Sequence, residues 1–449
     1  MKRIEMKKRG ALILALLLAL TLTACAVDAD ADASQNSGSA QSTASRSGSA
    51  SQSTPAVQSD DTSTSTSNTQ SAAVQSTGAA SDNKTVSTAA VTADGAIDAT
   101  ELFSKRDLTQ SADLSEAVAY TVSDGKNVTI TAEGVYVLSG SAKNVSVIVD
   151  AGDEDKVQLV LDGLTVTNED SPVIYVKNAD KVFVTTAEGS ENSLSVTGAF
   201  TADGSTNTDA VIFSRDDLVL NGLGSLNVNS TDNGISGKDK IKITGGVLTV
   251  SAVDHGIEAN DGIAVAGGII TVTSRQKDGL HAENEDDEKE GWIYICGGTL
   301  NVSVADDGLH AVSIVQIDGG TLDITAAEGI EATWVQINDG DITISASDDG
   351  INGGQKSRSY TVCIEIHGGN LSITMGQGDT DGIDSNGNLV ITGGTISVNA
   401  QSPFDYDGTL THTGGTIIVN GTETDQITNQ FGGMGGGPGG MGAGPGRRG

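Results

Sequence analysis

Acidic side chains recur at fixed offsets from a repeating glycine between Asp232 and Asn420 of this 449-residue chain. The glycine falls at Gly234, Gly256, Gly279, Gly308, Gly329, Gly350 and Gly382. Two residues before it stand Asp232, Asp254, Asp306 and Asp348, and one before it stand Asp278, Asp307, Glu328, Asp349 and Asp381. Two after it stand Glu258, Glu331 and Asp384, with His281 and His310 interleaved. Five after it, in the earlier repeats, stand Asp239 and Asp261, matched by Asp216 one repeat before. If successive repeats lie side by side, these carboxylates come about 4.8 Å apart and repel unless a cation lies between them. Calcium, which takes several oxygen ligands in flexible geometry, is the expected cation. The doubled Asp306-Asp307 and Asp348-Asp349 are the best individual ligands on this reading. The competing account is a solvated acidic edge, with Asp chosen because it accepts backbone N–H bonds at turns. Zinc is disfavoured, because the histidines read as isolated and the two later cysteines, Cys296 and Cys363, are not placed together.

Aromatic residues are scarce, at 3% of the chain, so each one that could face a ligand counts. Trp292 and Trp334 share one outward position of the repeat, with Tyr294 beside the first, and aligned rings there could stack on a sugar. The alternative is that the rings pack beneath the Glu283–Gly291 stretch. The cations nearest the acidic positions, Lys238, Arg275 and Lys277, are candidates for a lyase base, but nothing sets any of them apart. No carboxylate pair stands out for a hydrolase either, because the acids repeat so regularly.

These side chains need elements to hold them in line, and the repeat supplies them. Its spacings are 22, 23, 29, 21, 21 and 32 residues, a near-fixed period of the kind that stacked-repeat proteins show. A glycine pair follows at Gly245, Gly267, Gly297, Gly319, Gly368, Gly393 and Gly414, with Asp339-Gly340 in one coil. On either side of each pair, Ile, Leu and Val alternate with mostly polar residues, the mark of half-buried strands. A third inward position is filled by Ile235, Ile257, Leu280, Leu309, Ile330, Ile351 and Ile383. The expected fold is therefore all-β: a right-handed parallel β-helix with three short strands per coil of about 21–22 residues, its coils burying one another. Longer excursions are expected at Glu283–Gly291 and Gly353–Tyr360. Less regular strands between Ile97 and Asn229 read as early coils plus a capping element, with the first regular coil at Asp209. Cys296 and Cys363 fall three coils apart, about 14 Å, beyond disulfide reach.

The ends differ in character. Residues 1–24 read as a secretory signal, basic and then apolar from Ala11 to Leu22. Leu22-Thr23-Ala24-Cys25 resembles a bacterial lipobox, which implies lipidation of Cys25 and a protein anchored on the extracellular face of the cell membrane. Residues 25–96 are Ser, Thr, Ala, Gln, Asp and Gly with almost no large apolar side chain, and read as a flexible linker. Residues 97–425 carry the β-helix, and 426–449 read as a disordered Gly/Met-rich tail. A net charge of −34 argues against nucleic acid or an anionic membrane surface as a direct partner, and a monomer is expected.

The order Asp162-Gly163-Leu164, Lys181-Val182-Phe183-Val184, Phe213-Ser214-Arg215-Asp216-Asp217-Leu218 and Asp278-Gly279-Leu280-His281-Ala282-Glu283-Asn284 resembles the β-helical, polysaccharide-lyase-like carbohydrate-binding surface proteins of anaerobic bacteria. That resemblance implies calcium and binding to cellulose or to acidic, pectin-like polymers. The combined expectation is a non-catalytic, calcium-assisted polysaccharide binder. A calcium-dependent pectate-type lyase and a structural adhesin or spacer are the alternatives.

Overall fold

Alternating Ile, Leu and Val along each repeat require a surface to bury them, and the neighbouring repeat provides it. The structure, a computed structural model, describes residues 97–377 and 380–429. The expected signal peptide, Cys25, the linker and most of the tail lie outside these residues. Among the described residues every regular element is a β-strand. The named strands pair in parallel, except for Thr422–Thr424, which runs antiparallel to Thr416–Val419. The fold is thus all-β and β-helix-like, with parallel strands stacked coil on coil.

Three ladders run through the stack. The first registers Ile212, Ile235, Ile257, Leu280, Leu309, Ile330, Ile351, Ile383 and Phe404. The second runs from Val182 through Leu218, Ile241, Ile263, Ile293, Val315, Val335 and Ile364 to Leu389. The third runs from Leu194 through Val228, Val250, Val272, Val302, Ile324, Ile344 and Ile373 to Val398. All of these side chains are buried in one continuous apolar cluster, each contributing about 1.5–3 kcal/mol by removal from water.

The two glycine positions of the repeat answer different needs. In the glycine pair it is the second residue that has positive φ, +102° at Gly320 and +122° at Gly340. That conformation favours glycine, and it explains why Asp339 can replace the first member of its pair. The glycine before the inward residue is required for space instead. A Cβ on Gly308 would lie 2.3 Å from Ile324 Cγ2 and 2.6 Å from the carbonyl oxygen of Gly329 in the next coil.

Coil stacking begins before Asp209. Val118–Thr121 already pairs with Gly134–Lys143, and the strand Ala210–Ser214 lies on Ile174–Asn178. Longer connections in this part of the chain obscure the period. The two excursions meet: Ser357 Oγ donates to the Glu288 carbonyl at 2.6 Å, and the Tyr360 hydroxyl donates to the Lys289 carbonyl at 3.2 Å.

Residues 97–114 form neither a coil nor a cap. They lie as a strap on the outer face of the second ladder, from Gln316 back to Phe183. The Ile97 N–H donates to Gln316 Oε1 at 2.6 Å, and the Gln110 side-chain amide bonds to Thr244 and Gly222. Between them the fully buried Asp107 meets Lys242 at 3.2 Å and Lys181 at 3.4 Å. Burial works against the Asp107 charge, but these two ammonium groups and bonds from Ser104 hold its carboxyl below the usual range.

Candidate functional site

On the first ladder the inward positions are aliphatic, so chemistry is carried by the outward ones. One outward column reads Ser236, Glu258, His281, His310, Glu331, Asn352, Asp384 and Asp405. The residues just before the repeat glycine make a second column, from His255 through Asp278, Asp307, Glu328 and Asp349 to Asp381. Coil-to-coil bonds fix it: the Gly279 N–H donates to the Asp307 carbonyl at 2.9 Å and the Gly308 N–H to that of Glu328 at 2.8 Å.

The two columns face each other. His281 Nδ1 lies 2.7 Å from Asp278 Oδ2, and His255 Nδ1 lies 3.3 Å from the same oxygen. His310 Nδ1 lies 2.8 Å from Asp307 Oδ2 and 3.0 Å from Glu331 Oε2. The rings lie in a row, His255 and His281 tilted with centroids 4.2 Å apart and His281 and His310 stacked at 4.9 Å. From the second excursion Lys356 Nζ reaches Glu331 Oε1 at 2.6 Å. Asn352 Nδ2 donates to Glu328 Oε2 at 3.0 Å and to Glu331 Oε1 at 3.3 Å.

Charge is distributed unevenly along these columns. At the histidine end, burial opposes ionisation of Asp278, yet the facing imidazoles of His255 and His281 and the nearby His310 hold its carboxyl far below the usual range. Burial likewise opposes the His310 cation, but Asp307 and Glu331 raise its pKa to about 10. Further along, Lys356 compensates Glu331, but Glu328, Asp349 and Asp384 have no ion pair among the described residues. Burial, with repulsion from Glu331, Asp307 and Asp349, pushes Glu328 up to about 8. Burial and the carboxylates of Asp349, Asp381, Asp405 and Asp407 push Asp384 up to about 7, and burial with Asp348 and Asp381 as neighbours pushes Asp349 up to about 6.

This arrangement tests whether calcium fits. Carboxylate oxygens of Asp307, Glu328 and Glu331 all lie within 4.8 Å of one another. Asn352 Oδ1 is buried beside them with no hydrogen-bond partner. Lys356 and His310 offset Glu331 and Asp307 but leave Glu328 repelled by its neighbours, and these carboxylate oxygens fit a calcium ion.

The expected ligands divide into three groups. Asp278, Asp307, Glu328, Asp349 and Asp381 stand in the column described. Asp232, Asp254, Asp306 and Asp348 occupy the preceding corner, and none of them joins a metal-ligating cluster among the described residues. Asp306 and Asp348 are exposed there, while their partners Asp307 and Asp349 turn into the ladder. Asp216, Asp239 and Asp261 stand at a different corner, outside these clusters. The Asp216 carboxylate accepts the Ala179 N–H at 2.9 Å. Asp261 is neutralised by Lys240 at 3.1 Å and accepts from Asn284 at 2.9 Å. Both are turn-holding acids.

Two further expectations are corrected. The aromatic residues Trp292 and Tyr294 are not an open platform: they are 2% and 4% exposed, packed with Ile97, Leu102, Ala264 and Ile314, with Phe103, Trp334 and Tyr360 alongside. The strap packs on them, and the acidic excursion contributes Glu290, which accepts the Trp292 indole N–H at 2.8 Å, and the Lys289 carbonyl, which accepts the Tyr360 hydroxyl. Trp334 belongs to the same cluster and is half-buried. Nor are the histidines isolated. His255 was legible, since it fills the position before Gly256 that Asp278 fills before Gly279. Cys296 and Cys363 are both free.

With this geometry in hand, comparison with known proteins gives three similarities. The profile of a family described as carbohydrate-binding domain-containing protein matches residues 124–380. A protein of that description from Acetivibrio thermocellus (strain ATCC 27405) is 38% identical over 203 residues, covering 44% of this chain and 71% of the relative. A solved structure described as the polysaccharide lyase-like protein from C. thermocellum, in a gadolinium derivative, is 31% identical with a TM-score of 0.45, covering 50% of this chain and 96% of that one.

Proposed function

The chain belongs to the carbohydrate-binding domain-containing family, and from that premise we propose that it binds polysaccharide along the outward face of its first ladder, assisted by calcium. The observation that carries this reading is the carboxylate group of Asp307, Glu328 and Glu331 on a regularly spaced strand face, with the unpartnered Asn352 Oδ1 on the same column as Glu331. A glycan chain is itself a linear repeat, and a face whose donors recur at each coil suits it. Asp307, Glu328 and Glu331 would hold the ion, and Asp349, Asp381 and Asp384 would extend the same acidic track. Bound there, calcium supplies positive charge that offsets the protein carboxylates and leaves coordination positions for glycan oxygens. Acidic, pectin-like polymers or cellulose are the glycans in this proposal, on a right-handed coil carried by a lipid-anchored, cell-surface protein.

The test is retention of the full-length protein on polygalacturonate and on cellulose, with calcium and after its removal. Calcium-dependent retention that Glu328→Gln weakens supports the proposal. Retention indifferent to both contradicts it. Release of unsaturated uronate, followed by absorbance, would move the reading to a lyase.

A further inference from the structure

The histidine end of the ladder has a donor set of a different kind. His255 Nδ1 and His281 Nδ1 converge on one oxygen, Asp278 Oδ2, at 3.3 and 2.7 Å, and the three residues each offer a ligand atom within 4.8 Å of the others. His281 satisfies that oxygen with a good hydrogen bond. His255 does not: its Nδ1 is buried and makes no hydrogen bond, although it points at the shared oxygen. An unsatisfied imidazole nitrogen aimed at an anionic oxygen, beside a second imidazole, leaves a position for a cation that accepts nitrogen. Calcium is the wrong cation here, because two of the three donors are nitrogen.

We propose that His255, Asp278 and His281 form a site for a borderline divalent metal of the zinc class, distinct from the oxygen-only group of Asp307, Glu328 and Glu331. With metal–nitrogen distances near 2.0–2.1 Å, neighbouring ligands of a tetrahedral site lie about 3.3 Å apart. The observed 3.3 Å already matches, and the 2.7 Å contact opens to that value once a metal replaces the shared proton. Two imidazoles and one carboxylate leave a fourth position open for water or a ligand oxygen. Glu283 Oε2 lies 3.4 Å from His281 Nε2, so a carboxylate stands behind the ligating ring, as metal-bound histidines commonly require. The stack of successive coils brings the donors together: the backbone pairs His281 with Glu258, and Gly256 N–H bonds the Asp278 carbonyl at 2.9 Å.

The test uses chelator-stripped full-length protein titrated with cobalt(II), followed by zinc. The proposal expects one equivalent of cobalt with visible d–d absorption of a four-coordinate site, displaced by zinc. His255→Ala and His281→Ala should each weaken it by more than about tenfold, since loss of outer-shell partners alone costs about 10–100-fold. Glu328→Gln should leave cobalt binding unchanged while weakening calcium binding. X-ray absorption of zinc-loaded wild-type protein, which depends on no variant folding, should show imidazole nitrogen in the metal shell. A shell of oxygen alone, no retained equivalent, or binding untouched by either histidine change would overturn the proposal.

Discussion

At the residue scale, the carboxylates of the ladder hold the most direct prediction. Glu328, Asp384 and Asp349 are raised to about 8, 7 and 6, against ordinary values near 4. A carboxyl raised on folding stabilises the folded state while it is protonated, and that contribution is lost as pH rises from its unfolded value through its folded one. His310, raised to about 10, acts with the same sign at higher pH. Metal-free protein should therefore melt at progressively lower temperature between about pH 4 and pH 8, and added calcium should flatten that decline. A melting temperature that holds steady or climbs across this window in chelator would show the carboxylates to be less burdened than described. Glu328→Gln removes the most strained charge without removing volume, and is expected to raise the calcium-free melting temperature at pH 8 while lowering calcium affinity. The acidic spacing was readable because one residue type recurred at one offset. The partnership of His255 with Asp278 was harder to read, because it joins neighbouring coils through side-chain reach.

At the element scale, the strap and the repeat glycines separate what periodicity reveals from what it hides. Coils announced themselves through inward Ile, Leu and Val, and strands such as Leu309–Ala326 lie where alternation places them. The strap has no period, so nothing in its spacing tells that Asp107 reaches Lys242 across 135 residues. For the same reason Trp292 and Tyr294 read as outward, either open or beneath the Glu283–Gly291 stretch, when outward from the coil means inward to the strap. Asp107→Ala leaves the buried Lys242 ammonium with the Leu102 carbonyl at 2.6 Å but without its carboxylate, and breaking a buried ion pair in this way typically costs about 3–5 kcal/mol. The strap should then loosen, which a red-shifted tryptophan emission and faster proteolysis within residues 97–114 would report. An unshifted emission would mean that apolar contacts at Ile97 and Leu102 hold it without the ion pair. In the coil itself, Gly308→Ala should destabilise far more than an alanine at an exposed loop position, because its Cβ meets backbone 2.6 Å away. Urea unfolding compares the two directly.

At the scale of the whole molecule, the fold and the chemistry have different origins in the sequence. Aliphatic letters and glycines account for the stacked coils whatever the protein does. Some acids also serve the stack, as Asp216, Asp278 and Asp349 do by accepting backbone N–H groups from other coils, but the mutual repulsion of the acidic column is what directs attention to cations. A strand stack converts a sequence repeat into a linear array of donors, which suits a polymeric ligand better than a small one. Family membership supports carbohydrate as that polymer, and the oxygen-only group supports calcium as the intermediary. The most direct measurement is the affinity of the full-length protein for polygalacturonate by calorimetry, in calcium and again after calcium removal is verified by elemental analysis. The account predicts a fall of at least about tenfold, some 1.4 kcal/mol, on removal, and a matching fall for Glu328→Gln in the presence of calcium. Equal affinity in both conditions would contradict it.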